Sequence, residues 1–178
     1  LTDRTICVRD PVEKGSAPCF CKLTSHPSVI HLSFEVMSSA LLIDTHHRVH
    51  RSLRISVVDK CDLRCTYCMP EDQHFLKREE LMTRDEIATI ARLFVERYGI
   101  TKIRLTGGEP LVRPDAVEIV RDMAQLGVSL GITTNAMTLD KHLDGLIAAG
   151  LKNINISLDT FDAERFKKIS RRDGFDRV

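Results

Sequence analysis

Apolar positions alternate with polar ones four times along the chain, and each alternating run is followed by one with helical spacing. Leu53-Arg-Ile-Ser-Val-Val58 reads as a strand, with Leu53, Ile55 and Val57 on one side and Arg54 and Ser56 on the other. Thr83-Arg-Asp-Glu86 is a capping box that opens a helix running to about Tyr98, with Gly99 as its stop. Lys102 to Thr106 predicts a second strand, and Pro114 suits the first turn of a second helix. Gly127 to Thr134 predicts a third strand, followed by a helix from about Leu139 to Ala149 that Gly150 ends. Lys152 to Asp159 is the fourth strand, and a last helix starts near Asp162. Strands two to four begin near 102, 127 and 152, so a unit recurs about every 25 residues. The first unit is longer because a loop from about Asp59 to Met82 follows its strand. Short repeated β-α units imply parallel strands with right-handed crossovers. A complete eight-unit barrel takes about 250 residues. The expected fold class is therefore α/β, a partial parallel (β/α) barrel of about four units.

The strands carry a second pattern. Strand two sets Ile103 and Leu105 opposite Arg104 and Thr106, and strand three sets Leu130 and Ile132 opposite Gly131 and Thr133. Strand four sets Ile154, Ile156 and Leu158 opposite Asn155, Ser157 and Asp159. A closed barrel interior is normally filled with branched apolar side chains, and burying polar groups without partners is costly. A polar face on every strand points to an open lumen that binds a polar ligand. The alternative is that these side chains satisfy one another.

Residues 1–41 break the pattern, with Pro11, Pro18 and Pro27 and no sustained period. They are expected to be an irregular extension, with residues 42–178 forming the regular domain. Because Met37-Ser-Ser-Ala40 has the look of an ordinary start, residues 1–36 are either a wrongly assigned upstream stretch or a poorly ordered arm.

Composition narrows the classes. Apolar residues make up 43% of the chain and charged residues 29%, enough for a core and against wholesale disorder. A net charge of +1, 5% aromatic residues and no Trp speak against a nucleic-acid binder. No apolar run reaches transmembrane length, so no membrane partner is expected. The mixed charges of Asp3, Arg4, Arg9 and Asp10 do not form a secretory signal, which predicts a cytoplasmic, reducing setting. Cysteines there read as metal ligands or buried thiols rather than disulfides.

Cys61-Asp-Leu-Arg-Cys65-Thr-Tyr-Cys68 falls at the C-terminal end of strand one, where sites form in barrels and open α/β sheets. Three thiolates on one loop can hold a soft metal centre and leave one position free. A structural zinc site completed by His74, His46, His47 or His50 remains open at this point.

Cys61-x3-Cys65-x2-Cys68 with Tyr67 before the last cysteine resembles the signature of the radical S-adenosylmethionine (SAM) superfamily. Ser52-Leu-Arg-Ile-Ser56, Cys65-Thr-Tyr-Cys-Met-Pro70, Lys102-Ile-Arg-Leu-Thr-Gly-Gly-Glu-Pro-Leu111, Ile132-Thr-Thr-Asn135 and Ile154-Asn-Ile-Ser-Leu-Asp159 follow in order. Together, over about Leu42 to Val178, they resemble the GTP 3′,8-cyclases of molybdenum cofactor biosynthesis. The fold would then be the N-terminal half of a radical SAM barrel.

The resemblance implies that Cys61, Cys65 and Cys68 hold a 4Fe–4S cluster, and that Tyr67, Gly107, Gly108, Glu109 and Ser157 contact S-adenosylmethionine. It implies GTP contacts for Arg54, Arg104 and Thr133, whose alternatives include an internal ion pair of either arginine with Asp159 or Glu109. The implied chemistry is reductive cleavage of S-adenosylmethionine to a 5′-deoxyadenosyl radical, hydrogen abstraction from C3′ of GTP and closure onto C8. An electron donor would feed the cluster, and a cyclic pyranopterin monophosphate synthase would take the product. Relatives of this type continue into a C-terminal half with a second 4Fe–4S cluster. The chain is thus expected to be a piece of a longer protein, or to need a partner, a homodimer included, to complete the barrel. Cys7, Cys19 and Cys21 have neither the spacing nor the place to supply that second cluster. Asp44-Thr-His-His-Arg48 also departs from the usual family run before strand one. The competing functions are another radical SAM enzyme, a non-catalytic zinc module and an inactive remnant.

Overall fold

A computed structural model describes residues 40–178; the N-terminal stretch 1–36 and Cys7, Cys19 and Cys21 lie outside them. Four strands, β1 (Ser52–Ser56), β2 (Lys102–Thr106), β3 (Ser129–Thr134) and β4 (Asn153–Ile156), form one sheet in the order β1-β2-β3-β4. Every pairing is parallel. Four helices return the chain, α1 (Arg84–Tyr98), α2 (Ala116–Ala124), α3 (Leu139–Ala148) and α4 (Ala163–Ser170).

Local chemistry sets these boundaries. Thr83 accepts from the Glu86 N–H while Glu86 accepts from the Thr83 N–H at 2.7 Å, so α1 opens on the expected reciprocal cap. Gly99 closes it at φ 65°. Asp162 caps α4 by accepting from the Arg165 N–H at 2.7 Å.

Three boundaries differ from the sequence expectation. Pro114 stands one residue before the N-cap Asp115, outside the first turn of α2. Gly127 takes φ 68° in the turn that follows α2, so β3 begins only at Ser129. β4 ends at Ile156, and the Ser157 N–H then donates to Thr134 O at 2.8 Å.

The apolar side of the sheet packs against the helices. Ile103, Leu105 and Ile132 from the strands meet Ile87, Ala91, Ile119, Val120, Met123 and Leu146 from α1, α2 and α3, all nearly inaccessible. A smaller cluster of Leu63, Met137 and Phe166, edged by Cys61 and Cys65, lies beneath the cysteine loop. That loop is tied to the end of α4, because the Arg64 N–H donates to Ser170 O and the Thr66 N–H to Ile169 O, both at 2.9 Å.

Candidate functional site

The opposite side of the sheet is the polar face read from the alternation. Arg54 pairs with Arg104, Arg104 with Gly131 and Gly131 with Asn153, which lays these four positions in one row. Paired residues of a parallel ladder share a face. Arg54 and Asn155 are exposed, and Arg104, Thr106 and Thr133 are half-buried. A groove of about 380 Å³ opens between Ser52, Lys102, Arg104, Gly131, Lys152 and Asn155. The polar side chains do not satisfy one another: Thr106 reaches Ile55 O and Asn153 reaches Leu130 O, both backbone acceptors. Among the described residues, neither Arg54 nor Arg104 has a carboxylate partner. The two acids that could have paired them are engaged elsewhere. Asp159 accepts from the Tyr67 hydroxyl at 2.8 Å, and Glu109 turns inward.

At the C-terminal ends of the strands the loops converge. Gly107 and Gly108 pass close to the chain leaving β1. The Gly108 N–H donates to Val58 O and the Glu109 N–H to Lys60 O, each at 2.7 Å. A Cβ on Gly107 would stand 2.4 Å from Val58 O, and one on Gly108 2.3 Å from Lys60 O. Contact at that distance with backbone leaves room only for glycine. This is a tight turn, and a turn so close to its neighbour also suits a ligand cradle.

Glu109 is fully buried and joins β2 to β3. Its carboxylate accepts from the Leu111 N–H, the Thr134 hydroxyl and the Asn135 N–H at 2.7 to 3.0 Å. Burial pushes its pKa up, against the three donors. Arg113 plays a comparable part, donating to Val57 O at 2.6 Å and gripping Asp115 with two N–H groups.

The cysteine loop carries its three thiols at different depths, with Cys61 and Cys65 half-buried and Cys68 exposed. Cys65 O accepts from the Cys68 and Met69 N–H groups, which places Cys65 and Cys68 on one tight turn. Burial pushes the Cys61 thiol up to about 11, and burial followed by the charge of Asp159 raises Cys65. Two donors face Cys61 Sγ, the Leu63 N–H at 3.4 Å and the Asn135 side-chain amide at 3.7 Å. Among the described residues, no three His, Cys, Asp or Glu side chains converge as a ready-made metal site.

Three of the histidines considered as a fourth ligand stand at the other end of β1 from the thiols. His46 and His47 sit on the hairpin bridged at Ile43 and Val49, and His50 reaches Asp44 at 3.3 Å. All three precede β1, whereas Cys61 follows it, so the strand's length of about 15 Å lies between. His74 is exposed on the return arm of the loop.

The site residues proposed from sequence thus fall on one side of the molecule, the arginines and Thr133 along the strands and the rest at their C-terminal ends. Asn135 and Asp62, to which the sequence pattern assigns no role, meet beside Cys61. Asn135 is visible in the chain only as the residue after Thr133-Thr134, and nothing local marks its reach of more than 70 residues back to Asp62.

Comparison with known proteins decides the family. The Radical SAM superfamily model matches residues 55–178. The chain belongs to the radical SAM superfamily. It is 51% identical over 140 residues to a GTP 3′,8-cyclase of Rhodopirellula baltica, covering 77% of this chain and 39% of that protein. It is 52% identical over 143 residues to molybdenum cofactor biosynthesis protein 1 of Homo sapiens, covering 79% of this chain and 22% of the human protein. The chain therefore spans about two fifths, or less, of the length of these relatives. Among solved structures, Streptococcus suis SuiB bound to S-adenosylmethionine superposes with a TM-score of 0.60 at 20% identity, over 79% of this chain and 31% of SuiB. That likeness establishes the shared radical SAM fold. Among the described residues no helix is long and apolar enough to cross a membrane.

Proposed function

We propose that this chain is the S-adenosylmethionine-binding part of a GTP 3′,8-cyclase, with residues 42–178 acting as one unit. The observation that carries the reading is the row of cations on the open face. Arg54 and Arg104 stand directly opposite on neighbouring strands, and among the described residues neither has a carboxylate partner. Like charges so placed are destabilising unless an anion joins them, and a guanidinium pair suits a phosphate. Half-identity to proteins named as GTP 3′,8-cyclases supports the choice of nucleotide.

The donor set fits a 4Fe–4S cluster: three soft thiols on one loop, two edging an apolar patch, with N–H donors facing the first. Cys61, Cys65 and Cys68 would hold it. When bound, the cluster and S-adenosylmethionine supply a carbon radical able to take the hydrogen from C3′ of GTP. The chain's own residues do the rest. Tyr67, Gly107, Gly108 and Ser157 frame S-adenosylmethionine at the ends of the strands, and the inward-facing Glu109 holds that frame rigid. Arg54, Arg104 and Thr133 fix the nucleotide along the polar face of the sheet, so that C3′ is presented toward the ends of the strands. A further chain segment carrying the second 4Fe–4S cluster would close the open edge of β4. A low-potential electron donor and a cyclic pyranopterin monophosphate synthase would work beside it in the cytoplasm.

The test is anaerobic reconstitution with iron and sulfide, reduction, addition of S-adenosylmethionine and assay of 5′-deoxyadenosine by mass spectrometry. The chain should form 5′-deoxyadenosine, and Cys65→Ala should abolish it. Zinc near one per chain, with no labile sulfide, would sink the enzyme reading.

A further inference from the structure

We propose that Asn135 tunes the reduction potential of the cluster through its side-chain amide. The inference rests on the cluster reading above and concerns a residue to which that reading gives no part.

The amide orientation is set by four contacts. Asn135 Oδ1 accepts from the Met137 N–H at 3.0 Å, which turns Nδ2 the other way. Nδ2 then donates to Asp62 Oδ1 at 2.6 Å and faces Cys61 Sγ at 3.7 Å. The Asn135 backbone N–H is held by buried Glu109 at 2.7 Å. The next residue, Ala136, is buried at φ 65°, a left-handed conformation that a non-glycine residue adopts only when its surroundings impose it. The Ala136 N–H donates to Thr134 Oγ1 at 3.0 Å, which helps to impose it. A strained, buried turn thus aims one amide at one thiol.

The consequence is electrostatic. When the cluster accepts one electron from a low-potential reductant, the cluster and its thiolates gain one negative charge. An N–H donor on a ligating sulfur stabilises that charge and favours the reduced form. The Asp62 carboxylate, 3.8 Å from Cys61 Sγ, opposes it. Asn135 acts twice, donating to the sulfur and partly neutralising the neighbouring acid. It is a positioning residue, since it reaches substrate only through Cys61.

The test is a potentiometric titration of the full, reconstituted 178-residue chain, followed by electron paramagnetic resonance of the reduced cluster. Asn135→Leu, at unchanged iron and sulfide per chain, should lower the reduced-to-oxidised ratio at the parent midpoint about tenfold, equivalent to about 59 mV for one electron. Asp62→Asn should move the midpoint the other way. A loaded Asn135→Leu with the parent midpoint, or a more positive one, overturns the proposal. If that variant takes up no iron, Asn135→Ser replaces it under the same criterion, because a serine hydroxyl can still accept from the Met137 N–H. Failure of both to load overturns it in favour of a purely structural role. Absence of a cluster from the unsubstituted chain overturns the cluster reading as well. A cluster with an unmoved midpoint overturns this inference alone.

Discussion

The two faces of the sheet are built from alternate residues of the same strands, yet they meet opposite surroundings. On one face Ile103, Leu105 and Ile132 are sealed beneath α1, α2 and α3. On the other Arg54 and Asn155 are exposed and Arg104 and Thr133 half-buried, and Arg104 and Asn155 line an open groove. The first face supplies the apolar burial on which stability rests. The second contributes little burial and carries two arginines with no carboxylate partner among the described residues, which a fold gains nothing by holding. Neighbouring residues of one strand can therefore be assigned to the packed core or to the open polar face by their direction alone.

The sharpest test compares two adjacent residues, beginning with the apolar one. Leu105→Ala should destabilise the chain by about 2–5 kcal/mol in urea unfolding, because a fully enclosed side chain leaves a cavity. A loss below about 1 kcal/mol would show that the helices do not seal that face.

Gly108→Ala comes next. The added methyl meets the backbone oxygens of Lys60 and Asp59 at 2.3 and 2.4 Å, so the turn must shift at a cost of about 1–3 kcal/mol. Iron uptake should fall with it, since the displaced backbone leads into Cys61. Normal iron content would detach the turn from the site.

A smaller effect is expected at the start of α2. Buried Arg113 holds the Asp115 carboxyl below the usual carboxylate range. The folded-state pKa is depressed, so the contribution is complete above the unfolded value of about 3.9. It is lost as pH falls through the folded value. Asp115→Asn should cost about 1.5 kcal/mol at pH 7 and flatten the acid limb of a stability–pH curve. An unchanged limb would place the acid sensitivity elsewhere.

Arg104→Ala should move stability least, within about 0.5 kcal/mol, since among the described residues the guanidinium has no acid partner. Its affinity for GTP, read by calorimetry, should nevertheless fall at least tenfold. Substantial unfolding with unchanged GTP affinity would reverse the assignment of the two faces.

Much of this was legible in the chain because it is local. The Thr83–Glu86 cap, the Gly99 stop and the period-two alternation each depend on residues a few positions apart. The alternation was enough to set Arg104 against Leu105. What escaped depends on partners distant in sequence. Glu109 sits in a recognisable motif, yet only the proximity of β2 and β3 shows its carboxylate turned inward to Thr134 and Asn135. Asn135 needs Asp62 beside it before its amide has meaning. β4 reads as apolar through Leu158, but the strand ends at Ile156, where its pairing with β3 stops after the Ser157 N–H donates to Thr134 O. Pattern reports which side a residue faces, and topology reports what waits there.

The bonds that tie Arg64 and Thr66 to the end of α4 also order events during synthesis. The cysteine loop leaves the ribosome about a hundred residues ahead of the helix that anchors it, a lag of roughly 5–20 s at bacterial and eukaryotic rates. Through that interval the thiols are present but their loop has no anchor. A segment made about a hundred residues later therefore completes the anchoring of the loop that carries the three thiols.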